Sequence, residues 1–316
     1  MRHLDSQMQY FACREQVLQQ REELLRRELA NQSLHAALQS QRLSFASSLS
    51  MISQFFREVG VGPFDLPTRL GKNPVQRYTT LLKMKRDHMQ LARDFMTQRH
   101  HFTVTAAFCD QKKFEASNGD LCSTRFESTP LPGARSIKSI VDALQNFVFN
   151  IEISISEVLG DITVRENDDA SPDSPVAQHR LVTTIADVVQ LDTNNVAFAE
   201  YRPAGPPESG ESEVGLLICD AVDEDELFPY RPSERVRQDL TAILMVAWHQ
   251  HENDEPVLVV TRWWCLRIRK SELFTPPFVI DRVQTGIEKV NAAMLTAARH
   301  ADRLPVRRPE QSGSSL

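Results

Sequence analysis

From about residue 177 to residue 269 the chain alternates between strand-like runs and turn signals, and it then closes on one long amphipathic helix. Strands are expected near 161–166, 177–186, 194–202, 213–221, 236–250 and 256–269. They are separated by NDDASPDSP at 167–175, RPAGPPESGES at 202–212 and FPYRPSE at 228–234. Side chains alternate across a strand, so Leu240, Ala242, Leu244, Val246 and Trp248 share one face. Leu258, Val260, Trp264, Leu266 and Ile268 share another, with Arg262 in register among them. The closing helix, 277–301, carries Val283, Ile287, Val290, Met294 and Ala297 on one stripe, because residues three and four apart lie on one helix face. An antiparallel sheet cannot leave an apolar face in water, and this helix is long enough to cover it. The pattern predicts an α+β domain in which a curved antiparallel sheet wraps a C-terminal helix, with a cavity between them.

The first half supplies the rest of such a domain. Asn73-Pro74 reads as a helix start. The helix after it has a broad apolar side, including Leu81, Met89 and Met96, and a basic side that includes Lys83, Arg86 and Arg93. Short strands follow at 103–109, 114–115 and 121–127, the last two flanking Asn118-Gly119, a strong hairpin signal. Ser136 is placed to cap a helix whose face is Ile137, Ile140, Val141, Leu144, Phe147 and Val148. The stretch 150–159 is ambiguous, since Ile151, Ile153 and Ile155 alternate as a strand would.

Residues 9–59 contain no proline or glycine and read as one long helix. Tyr10, Val17, Leu24, Asn31, Leu38, Phe45, Ile52 and Val59 recur at seven-residue intervals, the period of a coiled-coil seam. The positions three residues on are mostly polar. An intermolecular coiled coil, giving a homo- or heterodimer, and a helix folded back on its own domain therefore both stand. The segment 60–74, rich in proline and glycine, reads as a linker, and the polar tail 303–316 as disordered.

The balance of charge, 25% charged residues and a net −6, is that of an ordinary globular protein and gives no basic excess for nucleic acid. Five widely spaced cysteines without a CxxC pair fit a reduced compartment. No signal peptide or membrane span is legible. The expectation is an intracellular protein of cytoplasm or nucleus.

The segments VGLLICDAVDEDELFPYRPSERVRQD (214–239), EISISEVLGDITVREND (152–168) and RYTTLLKMKRDHMQLARDF (77–95), in this order of elements, resemble the START-like (helix-grip) superfamily. More narrowly they resemble the oomycete mating-specific protein family, some relatives of which carry a zipper-type helix ahead of the domain. The resemblance covers roughly residues 75–302. It implies a START-like domain at 75–302, a binding module for a lipid, sterol or other hydrophobic small molecule, in a regulatory protein. It departs at residues 1–27, where five arginines are interrupted by Asp5, Glu15, Glu22 and Glu23. A basic region that forks across the major groove is not there, so sequence-specific DNA binding is not expected from this chain. The competing reading is an interaction or scaffold protein that oligomerises through residues 1–59, a relic of a basic-leucine-zipper regulator without its basic region.

Chemical signatures are sparse. His249 and His251 point the same way on a strand but have no third ligand, and two ligands do not make a metal site. The acidic run DAVDEDEL lacks the turn glycine of a calcium loop and reads as a solvated loop paired with Arg231, Arg235 or Arg237. No nucleophile elbow or phosphate loop occurs. We therefore expect no catalytic residues, metal or cofactor. The expected pocket lining is Leu244, Val246 and Trp248; Val260, Trp264 and Leu266; Val283, Ile287, Val290 and Met294. Arg262 stands among these as a polar anchor for a ligand head, unless the register is off by one and Trp263 faces inward.

Overall fold

The computed structural model describes residues 14–15, 18–42, 63–64, 67–100, 107–167, 174–206, 208, 210–250 and 255–301. The chain divides into two units, Met1–Leu49 and Ser50–Leu316. In the first, helix α1 spans residues 18–42. It exposes Leu18, Leu24, Leu25, Leu29, Leu34 and Leu38 and carries an Arg26–Glu22 pair at 2.7 Å. The seam positions Tyr10, Val17, Phe45, Ile52 and Val59 lie outside the described residues, as do the tail 303–316 and His251.

The second unit runs β1 (Arg69–Leu70), α2 (Pro74–His100), β2 (Phe108–Glu115), β3 (Leu121–Leu131), α3 (Ile137–Phe149), α4 (Ile151–Leu159), β4 (Ile162–Arg165), β5 (Val176–Ile185), β6 (Val189–Arg202), β7 (Val214–Ala221), β8 (Glu224–Asp225), β9 (Val236–His249), β10 (Val257–Ile268) and α5 (Pro277–Ala301). Local chemistry explains the boundaries. Asn73 Oδ1 accepts from the Val75 and Gln76 amides, capping α2 just ahead of Pro74. Ser136 caps α3 by accepting from the Ser139 amide at 3.2 Å. In the β2–β3 hairpin Gly119 sits at φ 84°, the left-handed region that this turn needs. Residues 151–159 are helical, which resolves the ambiguity there. Gly160 ends that helix in the left-handed conformation, and Arg165 ties its first turn down through Glu152 and the Phe149 carbonyl, both at 2.6 Å.

Among the described residues the strands form one eight-stranded sheet in the order β2-β3-β10-β9-β7-β6-β5-β4, with neighbours antiparallel. Where β7 gives out, β9 reaches past it to pair in parallel with β6 at Leu191↔Val236. One face wraps α3, α4 and α5. Ile137, Ile140, Val141 and Leu144 of α3 and Met294, Leu295 and Ala298 of α5 pack on Leu217, Leu244, Val246 and Val260. Val279 and Val283 pack on Trp264, Leu266 and Ile268. This is the α+β helix-grip architecture. The opposite face is covered as well: Leu81, Met89, Ala92 and Met96 of α2 bury Phe198, Ile218, Ile243 and Trp263. Trp263 therefore points away from α5, edge-on to Phe95 at 5.2 Å.

A polar network pins α2 there. Arg77 donates to both oxygens of Asp225 at 2.7 and 3.0 Å and to Gln178 at 2.7 Å. Asn194 and Gln178 also donate to Asp225. The acidic run is thus not a simple solvated loop. Asp225 and Asp220 are buried, and Asp220 accepts from Thr241 and meets His88. Of the expected arginine partners, Arg237 lies 3.9 Å from Asp223, while Arg235 pairs with Glu166. Within the segment 60–74, β1 pairs in parallel with β8, and Leu70 is buried in the outer core. A two-residue strand is too short to show a period, so the segment reads from sequence only as a linker.

At Gly215, α3 packs directly against the sheet backbone. A Cβ there would overlap the Cγ2 methyl of Val141 and touch Ile137. Gly215→Ala should lower unfolding stability by about 1–3 kcal/mol in urea titrations. Val141→Ala in the same chain should recover part of that loss, giving a double variant less destabilised than the sum of the two single ones.

Candidate functional site

Inside the grip the packing is incomplete. A cavity of about 160 Å³ lies between the sheet, α4 and α5. Interiors normally contain few voids larger than a water molecule, so a space of this size is a feature to be explained. Leu244, Leu266, Val283, Ile287, Val290 and Met294, all expected from the sequence, line it. Val246, Trp248, Val260, Arg262 and Trp264 lie outside the lining. Val246 and Val260 are fully buried in the core against α3, and Trp264 in the cluster with Val279. Trp248 is only partly buried and donates to Glu213 at 3.3 Å. The cavity is displaced from the expected position toward β5, β6 and α4, because α3 fills the end of the grip near Val246 and Val260.

Arg262 does face α5, which settles the register in favour of Trp264 inside and Trp263 outside. It meets the carboxylate of Glu127 on β3 and donates to the Asn291 carbonyl at 3.3 Å. Burial, together with the nearby Arg125, pulls its guanidinium down to about 9. A buried charge needs a partner, and here the protein supplies one. Arg262 is a structural tie between β3, β10 and α5.

The polar part of the cavity wall comes from residues outside the expected set: His179, Thr183, Thr193 and Asn195 on β5 and β6, with Cys219 beside them, and Gln238 and Asn291. His179 and Asn195 sit directly opposite each other on β5 and β6. The signal was present in the sequence as polar residues in register with Leu181, Ile185 and Leu191. It was legible only once β5 and β6 had been paired and the inward face identified. His179 is 2% exposed. Its ring hydrogen-bonds the Phe149 carbonyl, while Nε2 has no partner, which assigns the proton to Nδ1. Burial, reinforced by Arg165, lowers its pKa to about 3, so the ring is neutral at physiological pH. Asn195 makes a side-chain hydrogen bond to Cys219, and its Oδ1 has no partner.

A cysteine, a histidine and an asparagine on one wall are also the residue types of a thiol nucleophile. Electrostatics run the other way here. Burial and then Asp220 push the Cys219 thiol up to about 12, whereas an activated cysteine is held well below its ordinary value. Among the described residues no group of three or more His, Cys, Asp and Glu side chains is placed to hold a metal ion. No helix among them is long and apolar enough to cross a membrane.

The neutral histidine has a consequence for stability. Above its ordinary value of 6.5 the ring is uncharged in folded and unfolded chains alike and contributes no pH dependence. Below 6.5 the unfolded chain takes up the proton and the folded chain does not. Stability therefore falls as pH drops from about 6.5 toward 3, by up to ~1.4 kcal/mol per pH unit. In His179→Leu that share of the acid loss should disappear from urea-unfolding curves collected across the window, whereas an unchanged slope would contradict the assignment.

No family model matches the chain, and no curated protein matches it. Solved structures similar to it include a conserved protein from Geobacillus kaustophilus, at 12% identity and a TM-score of 0.25, covering 56% of this chain and 93% of that one. Another is Ara h 8.0201, at 8% identity and a TM-score of 0.25, covering 58% of this chain and 98% of that one. The helix-grip assignment rests on the strand order and the packing of α5 described above.

Proposed function

We propose that the second unit is a non-catalytic START-like module that holds a small hydrophobic molecule between the sheet and α5, within a regulatory protein akin to the oomycete mating-specific family. The supporting observation is the cavity of about 160 Å³, walled mainly by leucine, isoleucine and valine. A cavity of about 150 Å³ lined by similar residues takes up benzene, whereas pockets for larger ligands enclose about 300–1,000 Å³. The size favours a monocyclic compound over a sterol or a long-chain lipid, either of which would require the grip to widen.

Val290 faces the cavity from α5. Val290→Trp should abolish toluene uptake, measured by calorimetry, while the melting temperature barely moves, because the indole enters existing space. If the same change costs about 1–3 kcal/mol or more and the unaltered protein takes up no toluene, the space is part of a close-packed core and the binding function falls.

A second activity rests on the exposed leucines of α1. Six large exposed apolar side chains on one helix call for a covering surface, and we propose that residues 9–59 supply self-association or partner binding. Deleting residues 1–60 should lower the oligomeric mass seen by light scattering. A full-length monomer at high concentration would exclude self-association.

A further inference from the structure

The cavity has a chemical polarity as well as a size. Its wall carries two unpartnered polar atoms, Nε2 of His179 and Oδ1 of Asn195. Both residues are buried, at 2% and 5% exposure, and they form a direct cross-strand pair, an arrangement that sets Cβ atoms about 4.5–5.5 Å apart. Each residue spends its donor elsewhere, His179 on the Phe149 carbonyl and Asn195 on the Cys219 sulfur. Two acceptor atoms therefore sit without a protein partner on neighbouring residues of the cavity wall. On the other face of the same strands the neighbouring side chains are satisfied: Gln178 and Asn194 are both bonded to Asp225. An orphaned acceptor in a buried site is costly, and here two of them belong to a cross-strand pair that lines one cavity, so a donor brought by a ligand is the group they lack.

We propose that His179 and Asn195 together form a hydroxyl-recognition site, selecting a neutral, monocyclic apolar compound that carries an –OH group (a phenol or a small cyclic alcohol) over its hydrocarbon counterpart. This rests on the ligand-binding reading above and deepens it. One hydroxyl donates to either acceptor, and a diol reaches both. A carboxylate brings lone pairs against lone pairs. It would also need a protonated imidazole, which burial disfavours, and neither Arg262 nor any other cationic side chain lines the cavity among the described residues. Carboxylic acids of the same size are thus selected against, which separates this site from one built for fatty acids.

The test uses the full chain and three probes of matched shape: p-cresol, toluene and p-toluate. In calorimetric titrations p-cresol should bind about tenfold or more tighter than toluene, and p-toluate should not bind measurably at neutral pH. In His179→Leu and in Asn195→Leu the preference should shrink toward unity or reverse, with toluene still bound. A direct readout on the unaltered protein is independent of how either variant folds. The 15N resonance of His179 Nε2 should shift on addition of p-cresol and stay in place with toluene. Toluene binding as tightly as p-cresol, or p-cresol binding without movement of the Nε2 resonance, would overturn the hydroxyl site while leaving the cavity's binding role intact. Failure of all three probes to bind would remove the ligand-binding reading and the hydroxyl site with it.

Discussion

The ion pair between Arg77 and Asp225 decides how the whole sheet is used. Asp225 is 5% exposed, and burial alone would push its carboxyl up. Hydrogen bonds from Arg77, Asn194 and the Phe228 amide outweigh that and hold it at about 2. Breaking a buried pair of this kind typically costs about 3–5 kcal/mol, because the remaining charge is left without a partner. Its geometric role is larger than its energy. It fixes α2 on the face of the sheet opposite α5 and anchors the β1–β8 ladder beside it. The middle strands are then buried on both faces, so β5 and β6 show almost unbroken burial along their length.

Double coverage sorts the polar residues of those strands. On the α2 side, Gln178 and Asn194 join the Asp225 network, and Arg180 pairs with Asp192. On the α5 side, His179 and Asn195 face the space that α3, α4 and α5 leave unfilled. Neighbouring residues on the same strands therefore do opposite things. One set closes a network and rigidifies the layer, and the other lines the cavity.

Much of the architecture was legible from sequence. The alternation in β9 and β10, the four-and-three stripe of α5, the Asn73-Pro74 start and the Ser136 cap are local signals, and each describes its own element. The two-layer coverage was not legible, because nothing in the apolar side of α2 says which sheet face it meets; that is decided by a partner about 150 residues away. The helical state of residues 151–159 was hidden by isoleucines at alternate positions, and the left-handed cap at Gly160 and the Arg165 tether decide it. The α5 side of the cavity lining followed from the helix stripe. The β5–β6 side did not, since facing residues there belong to strands whose register depends on a turn at Ala186-Asp187, where two non-glycine residues adopt positive φ.

The uneven stiffness of the walls has a kinetic consequence. The sheet is clamped from behind by α2 and its salt bridge, and α5 is seated by Val279, Val283 and Met294. Helix α4, which supplies Ile151, Ile155 and Leu159 to the cavity, has no fully buried residue, and stretches with few buried apolar contacts open at the lowest free energy. A guest held behind one compliant wall leaves only as fast as that wall opens, so compounds of different affinity would share a similar ceiling on their rate of exchange. Residence time would then be written into the packing of α4 against Gly286, where Leu159 approaches to 3.0 Å of the position a Cβ would take, and not into the pocket's own chemistry.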